Sequence, residues 1–230
     1  MRRRSTADAP TRPAPRTVCR MRVVPPWALL SAGAAPVFLV GGWLLGAARQ
    51  PGGFDQVSGT ISALAAVGAA DRWIMTLGLV GLGLCHCVTA AGLRPLAVGG
   101  RALLALGGVA TLAVAAFPLP ADGGSAPHAL AAAVAFGALA VWPAFAPAGT
   151  GGPRAGRPRG DALRPGGGHP AHHTHGRAAW AALAVGLLVP VAWFAIELAT
   201  GGERIGLAER VAAGAEALCP ALVAGWLSRR

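Results

Sequence analysis

The chain has 230 residues, of which 54% are hydrophobic and only 13% charged. A soluble domain typically carries about 25% charged residues, and here the apolar residues run in long blocks nearly free of charge, the mark of bilayer spans rather than of a soluble core. The net charge of +11 comes from 20 Arg and no Lys, set between the apolar blocks, so it is read as membrane topology and no nucleic-acid partner is expected.

Residues 1–26 hold seven arginines and several prolines and are expected to form a disordered basic tail. Met21 is a second candidate start. The first apolar block, Trp27–Ala48, is 22 residues long, longer than the core of a secretion signal and long enough to span a bilayer. Five further spans are expected at Trp73–Leu93, Ala102–Pro118, Ala129–Pro147, Ala178–Thr200 and Leu207–Leu227. Their continuous apolar runs favour helices over alternating barrel strands. The fold class is therefore all-α, a polytopic membrane bundle of six transmembrane helices.

The arginines fix the orientation. Sixteen fall on the tail, on the loop Arg94–Arg101, on the loop Ala148–Arg177 and on the C-terminus, against four (Arg49, Arg72, Arg204 and Arg210) on the other side. The positive-inside rule places both termini in the cytoplasm of a plasma-membrane protein. In the first outer loop Phe54, Val57, Ile61 and Leu64 repeat at three- and four-residue steps, which predicts a short amphipathic helix on the outer surface of the bundle. The loop 148–177, rich in Gly, Pro, Arg and His, is expected to be flexible. Its histidines, His169, His172, His173 and His175, are read as part of a solvated low-complexity tract, with loose binding of a transition metal as the alternative.

Gly and Ala saturate the spans and are expected at helix contacts, and Gly42–Gly46 has the spacing of a dimer face, so a homo-oligomer is possible beside membrane lipids as partners. The four cysteines (Cys19, Cys85, Cys87, Cys219) lack the spacing of a disulfide framework. His86 stands between two of them, but this spacing matches no zinc motif. His128, the only other histidine near a span, lies at a different depth, so a shared haem is disfavoured. No metal and no cofactor is expected.

Polar residues converge at the outer face and recur in the membrane interior. Asp55, Ser58 and Ser62 come from the first loop, Arg72 opens the second span, His128 the fourth, and Glu209 with Arg210 the sixth. Together they form a candidate shallow site, with His128 as acid or base and Arg72 or Arg210 holding an anion. Glu197 is expected to pair with Arg204 or Arg210. His86 and Glu216 lie deep within spans, where an ionisable group is costly and marks a candidate functional position.

The same residues carry a resemblance. The stretch Asp55-Gln56-Val57-Ser58-Gly59-Thr60-Ile61-Ser62-Ala63-Leu64, then Asp71-Arg72-Trp73 leading to Gly92-Leu93, then Phe117-Pro118 with His128, and Gly206-Leu207-Ala208-Glu209-Arg210 occur in this order. They resemble the bacterial and archaeal membrane proteins grouped as domain-of-unknown-function 998. The resemblance spans roughly Trp27 to Leu227 and implies a six-helix integral membrane protein, with no reaction attached.

Three functions remain open. The first is a non-enzymatic protein binding a lipid or small molecule at its outer face. The second is a membrane-embedded enzyme, a hydrolase using His128 or a redox protein using His86. The third is a proton-coupled transporter using Glu216, against which stands the lack of broken helices at matching positions of two halves.

Overall fold

The computed structural model describes residues 24–121, 124–147 and 171–229, the last set without the side chains of residues 171–175. The basic tail to residue 23 (with Cys19 and Met21), most of the 148–177 loop and the side chains of its four histidines thus lie outside the described residues.

The described residues form seven helices: α1 (Pro26–Ala48), α2 (Ile61–Leu64), α3 (Trp73–Gly92), α4 (Val98–Ala116), α5 (Ala126–Val141, extended by a 3-10 turn over Trp142–Phe145), α6 (Ala171–Thr200) and α7 (Ile205–Ser228). All but α2 belong to segments long and apolar enough to cross a membrane, six in all, and no strand occurs among the described residues. The chain is a polytopic helical membrane protein.

Local chemistry sets the boundaries. Pro26 and Pro127 sit in the first turns of α1 and α5, where a missing N–H costs nothing, and Ser125 caps α5 by accepting from the His128 amide. The helix α4 begins four residues before its apolar run. This takes Arg101 into its first turn, where the guanidinium donates to the carbonyls of Ala90 (2.9 Å) and Ala91 (3.4 Å) at the end of α3 and so satisfies groups that the helix itself leaves open.

Consecutive spans pack side by side, and α7 closes the ring by packing on both α1 and α6. Small residues bring the backbones together. A Cβ on Gly83 would lie 2.7 Å from the Gly108 carbonyl oxygen, and one on Gly108 equally close to that of Gly83, so α3 and α4 meet at van der Waals range. Gly42 and Gly46 are both buried, the first against Gly78 and Met75, the second against Leu64 and Met75. That spacing therefore serves contacts within the chain. Cys85, Cys87 and Cys219 are free thiols.

The short helix of the first loop is confined to the single turn Ile61–Leu64. Its two large apolar residues, Ile61 and Leu64, are 3% and 1% exposed and join the core. It is tucked into one end of the bundle instead of lying across its surface. We call that end, where residues 49–72 lie, the first-loop end.

Candidate functional site

Two neighbouring residues at the start of α7 hold the first loop in place. Arg210 is buried, and its Nη1 donates to the carbonyls of Gln56 (2.8 Å), Gly59 (2.7 Å) and Gly206 (2.8 Å). The rings of Trp43 and Phe54 lie 5.8 Å from its guanidinium carbon, within the range of cation–π attraction. The Glu209 carboxylate accepts from the Ile61 amide and from Ser62 Oγ (3.0 Å), while Thr60 Oγ1 accepts from the Ala63 amide. Side chains of α7 and of the loop thus cap a one-turn helix that could not stand alone. Gly206 completes the seat: a Cβ there would lie 2.9 Å from the Val57 carbonyl oxygen and still closer to Gly59. Leu207 N–H donates to that same Val57 oxygen at 2.9 Å.

Beneath this seat lies a cavity inside the bundle, lined by Ser62, His86, Thr111, Glu209 and Glu216 among apolar walls that include Leu39, Leu79, Leu82 and Phe136. Its volume, as space open to the centre of a water molecule, is about 50 Å³. One water needs roughly 10–15 Å³ by that measure, so the cavity has room for a few waters or a molecule of a few heavy atoms.

Glu209, Ala213 and Glu216 follow the i, i+4, i+7 spacing of one helix face, and Leu79, Leu82 and His86 the i, i+3, i+7 spacing of another. The two carboxyls stand roughly 10 Å apart along α7 at a rise of about 1.5 Å per residue. His86 and Glu216 are 1% and 2% exposed. Both His86 ring nitrogens and Glu216 Oε1 are buried without a hydrogen-bond partner. Pro220, one turn further along α7, has no N–H, so the Glu216 carbonyl also lacks its usual helical donor. Thr111 Oγ1 donates to Gly107 O at 2.8 Å, leaving it only lone pairs to offer. Ser62, Ala132, Phe136 and Ala213 are the half-buried members of the lining, so the cavity nears the protein surface along the seam of α2, α5 and α7.

The residues expected at the outer face separate into distinct groups. Ser62, Glu209 and Arg210 come together in the loop seat. Asp55 Oδ1 and Oδ2 accept from the Val57 amide (2.8 Å) and Ser58 Oγ (2.7 Å) in a local turn exposed to solvent. Those bonds, with the Arg210 charge as a smaller contribution, hold the Asp55 carboxyl below its ordinary range. His128 is buried at the start of α5, where Nδ1 donates to the Phe117 carbonyl at 2.8 Å and pins the α4–α5 connection. No hydrogen bond joins it to Ser58 or Ser62. The Arg72 side chain makes no hydrogen bond or ion pair among the described residues. Its neighbour Asp71, in the left-handed region at φ 47°, pairs instead with Arg49 at 2.8 Å, and that contact lowers the Asp71 carboxyl. Glu197 takes the Arg204 backbone amide (3.0 Å) and the Trp193 indole N–H (3.1 Å), not a guanidinium.

His86 and Glu216, conspicuous separately in the sequence, line one cavity in the fold. Thr111, which lines it too and is absent from the sequence candidates, had a signal of its own: it is the one hydroxyl in the α4 span, Val98–Ala116. Among the described residues no three His, Cys, Asp or Glu side chains could share a metal ion.

Six apolar spans around a small cavity with polar side chains in its lining define a multi-pass integral membrane protein. The family profile described as "Protein of unknown function (DUF998)" matches residues 32–226, and the chain belongs to that family. The comparisons with curated proteins and with solved structures return no match.

Proposed function

We propose that this is a plasma-membrane protein, with both termini in the cytoplasm, that binds a small polar molecule in the cavity between α3, α4, α5 and α7. The arginine distribution supports this orientation and makes the first-loop end the outer one. The observation that carries the reading is the pair His86 and Glu216: two fully buried polar side chains from different helices, lining one cavity, with hydrogen-bonding atoms left unused. Buried polar groups are nearly always paired, and an exception inside a membrane is costly enough to point to a missing occupant. Drug-sized ligands occupy about 300–1,000 Å³, so a cavity of this size favours a molecule of few atoms over a lipid. The segment 54–64 covers the outer end of the cavity, where Ser62 and Glu209 belong to both the seat and the lining.

Native mass spectrometry of the detergent-purified protein tests this. A bound species lost in Glu216→Gln and retained in His128→Ala is the expected result. No bound species in the wild type, or equal retention in both variants, would overturn the interior site.

A further inference from the structure

We propose that the occupant of this cavity is a small monovalent cation of the ammonium class (ammonium itself or methylammonium), taken up at the Glu216 carboxylate in exchange for its proton. The inference rests on the interior binding site proposed above and names its ligand. Its first ground is the balance of donors and acceptors. Thr111 has committed its hydroxyl proton to Gly107 O and Ser62 its own to Glu209, so both offer lone pairs only. Glu216 offers a carboxyl with Oε1 unpartnered. Both His86 ring nitrogens are unpartnered too; the neutral ring offers one lone pair and one N–H, and a companion water or the Glu216 carboxylate can accept from that N–H. Acceptors still outnumber donors in this set, so a ligand that satisfies it must bring hydrogen-bond donors.

The second ground is charge. The titratable groups around Glu216 are His86 on α3 and Glu209 and Cys219 on α7, while the cavity residues from α1, α2, α4 and α5 carry none and α6 contributes no lining residue. No guanidinium lines the cavity, and Nη1 of the nearby Arg210 is held by the loop carbonyls. An ionised carboxylate in such surroundings needs a counter-charge. A proton supplies it when the site is empty, and a cation supplies it when the site is filled. The exchange is balanced: the cation enters, the Glu216 O–H bond breaks, and one proton leaves to solvent.

The third ground is ligand type and size. Alkali and alkaline-earth ions prefer cages of several oxygens, whereas the lining here is a few oxygens, an imidazole and apolar walls. An ammonium group accepts nitrogen as readily as oxygen and tolerates the face of an aromatic ring such as Phe136. About 50 Å³ of water-centre space suits one or two heavy atoms with a companion water.

The test is calorimetric titration of the full chain in lipid nanodiscs with methylammonium chloride, against sodium chloride at equal ionic strength. It is repeated in two buffers of different ionisation heat to count protons. The expected result is saturable methylammonium binding at least tenfold tighter than sodium, with close to one proton released per cation. Affinity rises about tenfold per pH unit until the carboxyl itself ionises. Glu216→Gln loses binding and proton release together, and Thr111→Val weakens binding about tenfold. Helix content and melting temperature verify that both variants are folded. Binding without proton release, or binding retained in Glu216→Gln, would overturn the exchange. An absence of methylammonium binding overturns the cation class. If native mass spectrometry still finds a species lost in Glu216→Gln, the cavity reading survives that failure, and if it finds none, both fall.

Discussion

Replacing Arg210 by alanine is expected to release the first loop while leaving the six spans assembled. Its Nη1 makes two bonds into that loop, to Gln56 O and Gly59 O. A hydrogen bond to a charged group is worth about 1.5–3 kcal/mol, so their loss removes at most about 6 kcal/mol. Against this, the guanidinium keeps Nε and Nη2 buried and unpartnered, and removing it relieves about 1–3 kcal/mol of desolvation. From the middle of both ranges the net cost is about 2.5 kcal/mol, concentrated on residues 54–64. At about 1.4 kcal/mol per factor of ten, the loop opens about 60-fold more often. Hydrogen exchange read by mass spectrometry in nanodiscs resolves this, because the Ile61 amide is bonded to Glu209 and the Gly59 and Ala63 amides are bonded within the loop that the seat holds, while the Leu207 amide on α7 donates to Val57 O. Arg210→Met, which keeps contact with Trp43 and Phe54 but removes the donors, gives the same pattern. Exchange over 54–64 changed by less than about threefold, or protection lost evenly through α3 and α4, would refute the assignment of Arg210 as the loop's anchor.

Gly83→Ala places a methyl 2.7 Å from the Gly108 carbonyl and 2.9 Å from Leu112 Cγ, forcing α3 and α4 apart at a cost of about 1–3 kcal/mol, visible as a melting temperature lowered by about 2–10 °C. His128→Ala loses the bond to Phe117 O and about 1 kcal/mol of stability, while ligand occupancy stays at the wild-type level in native mass spectrometry. Asp55, held below its ordinary range of 3.8 by the Val57 and Ser58 bonds, steadies the loop fully above that value. The contribution is lost as pH falls through the depressed one. Loop exchange in wild type therefore loosens only below about pH 3.8, while Asp55→Ala removes that acid step.

The spans were legible in the sequence because a bilayer imposes a length and a composition that short-range reading detects. The third span shows where that reading stops. Arg101 looked like a loop charge, and only its contact with the α3 carbonyls explains why the helix includes it. The one-turn α2 was legible as a repeat of Phe54, Val57, Ile61 and Leu64, but its inward seating depends on Gly206, Glu209 and Arg210, about 150 residues away. Arg72 and Arg210 read alike as candidate anion holders, and nothing local in the sequence shows that Arg210 Nη1 is held by the loop carbonyls while the Arg72 side chain makes no hydrogen bond among the described residues. His86 and Glu216 were each conspicuous as polar residues in apolar runs. Their convergence is a property of the ring closure by α7, which no periodicity within one helix reveals.

Glu209 ties the loop to the cavity. One carboxylate accepts the Ile61 amide and the Ser62 hydroxyl and also lines the space that holds Glu216 and His86. A cation arriving there adds positive charge near the group that caps α2, so occupancy and loop closure draw on the same carboxylate. Linkage makes the effect reciprocal: whatever factor the ligand adds to loop protection, loop closure adds to ligand affinity. In the wild type, saturating methylammonium is expected to change exchange over residues 54–64. In Glu209→Gln, which keeps a side-chain acceptor for the Ile61 amide but loses the charge, the loop stays seated and no longer responds to the ligand. A loop in Glu209→Gln that still responds as in the wild type would place the coupling elsewhere and leave Glu209 as a cap alone.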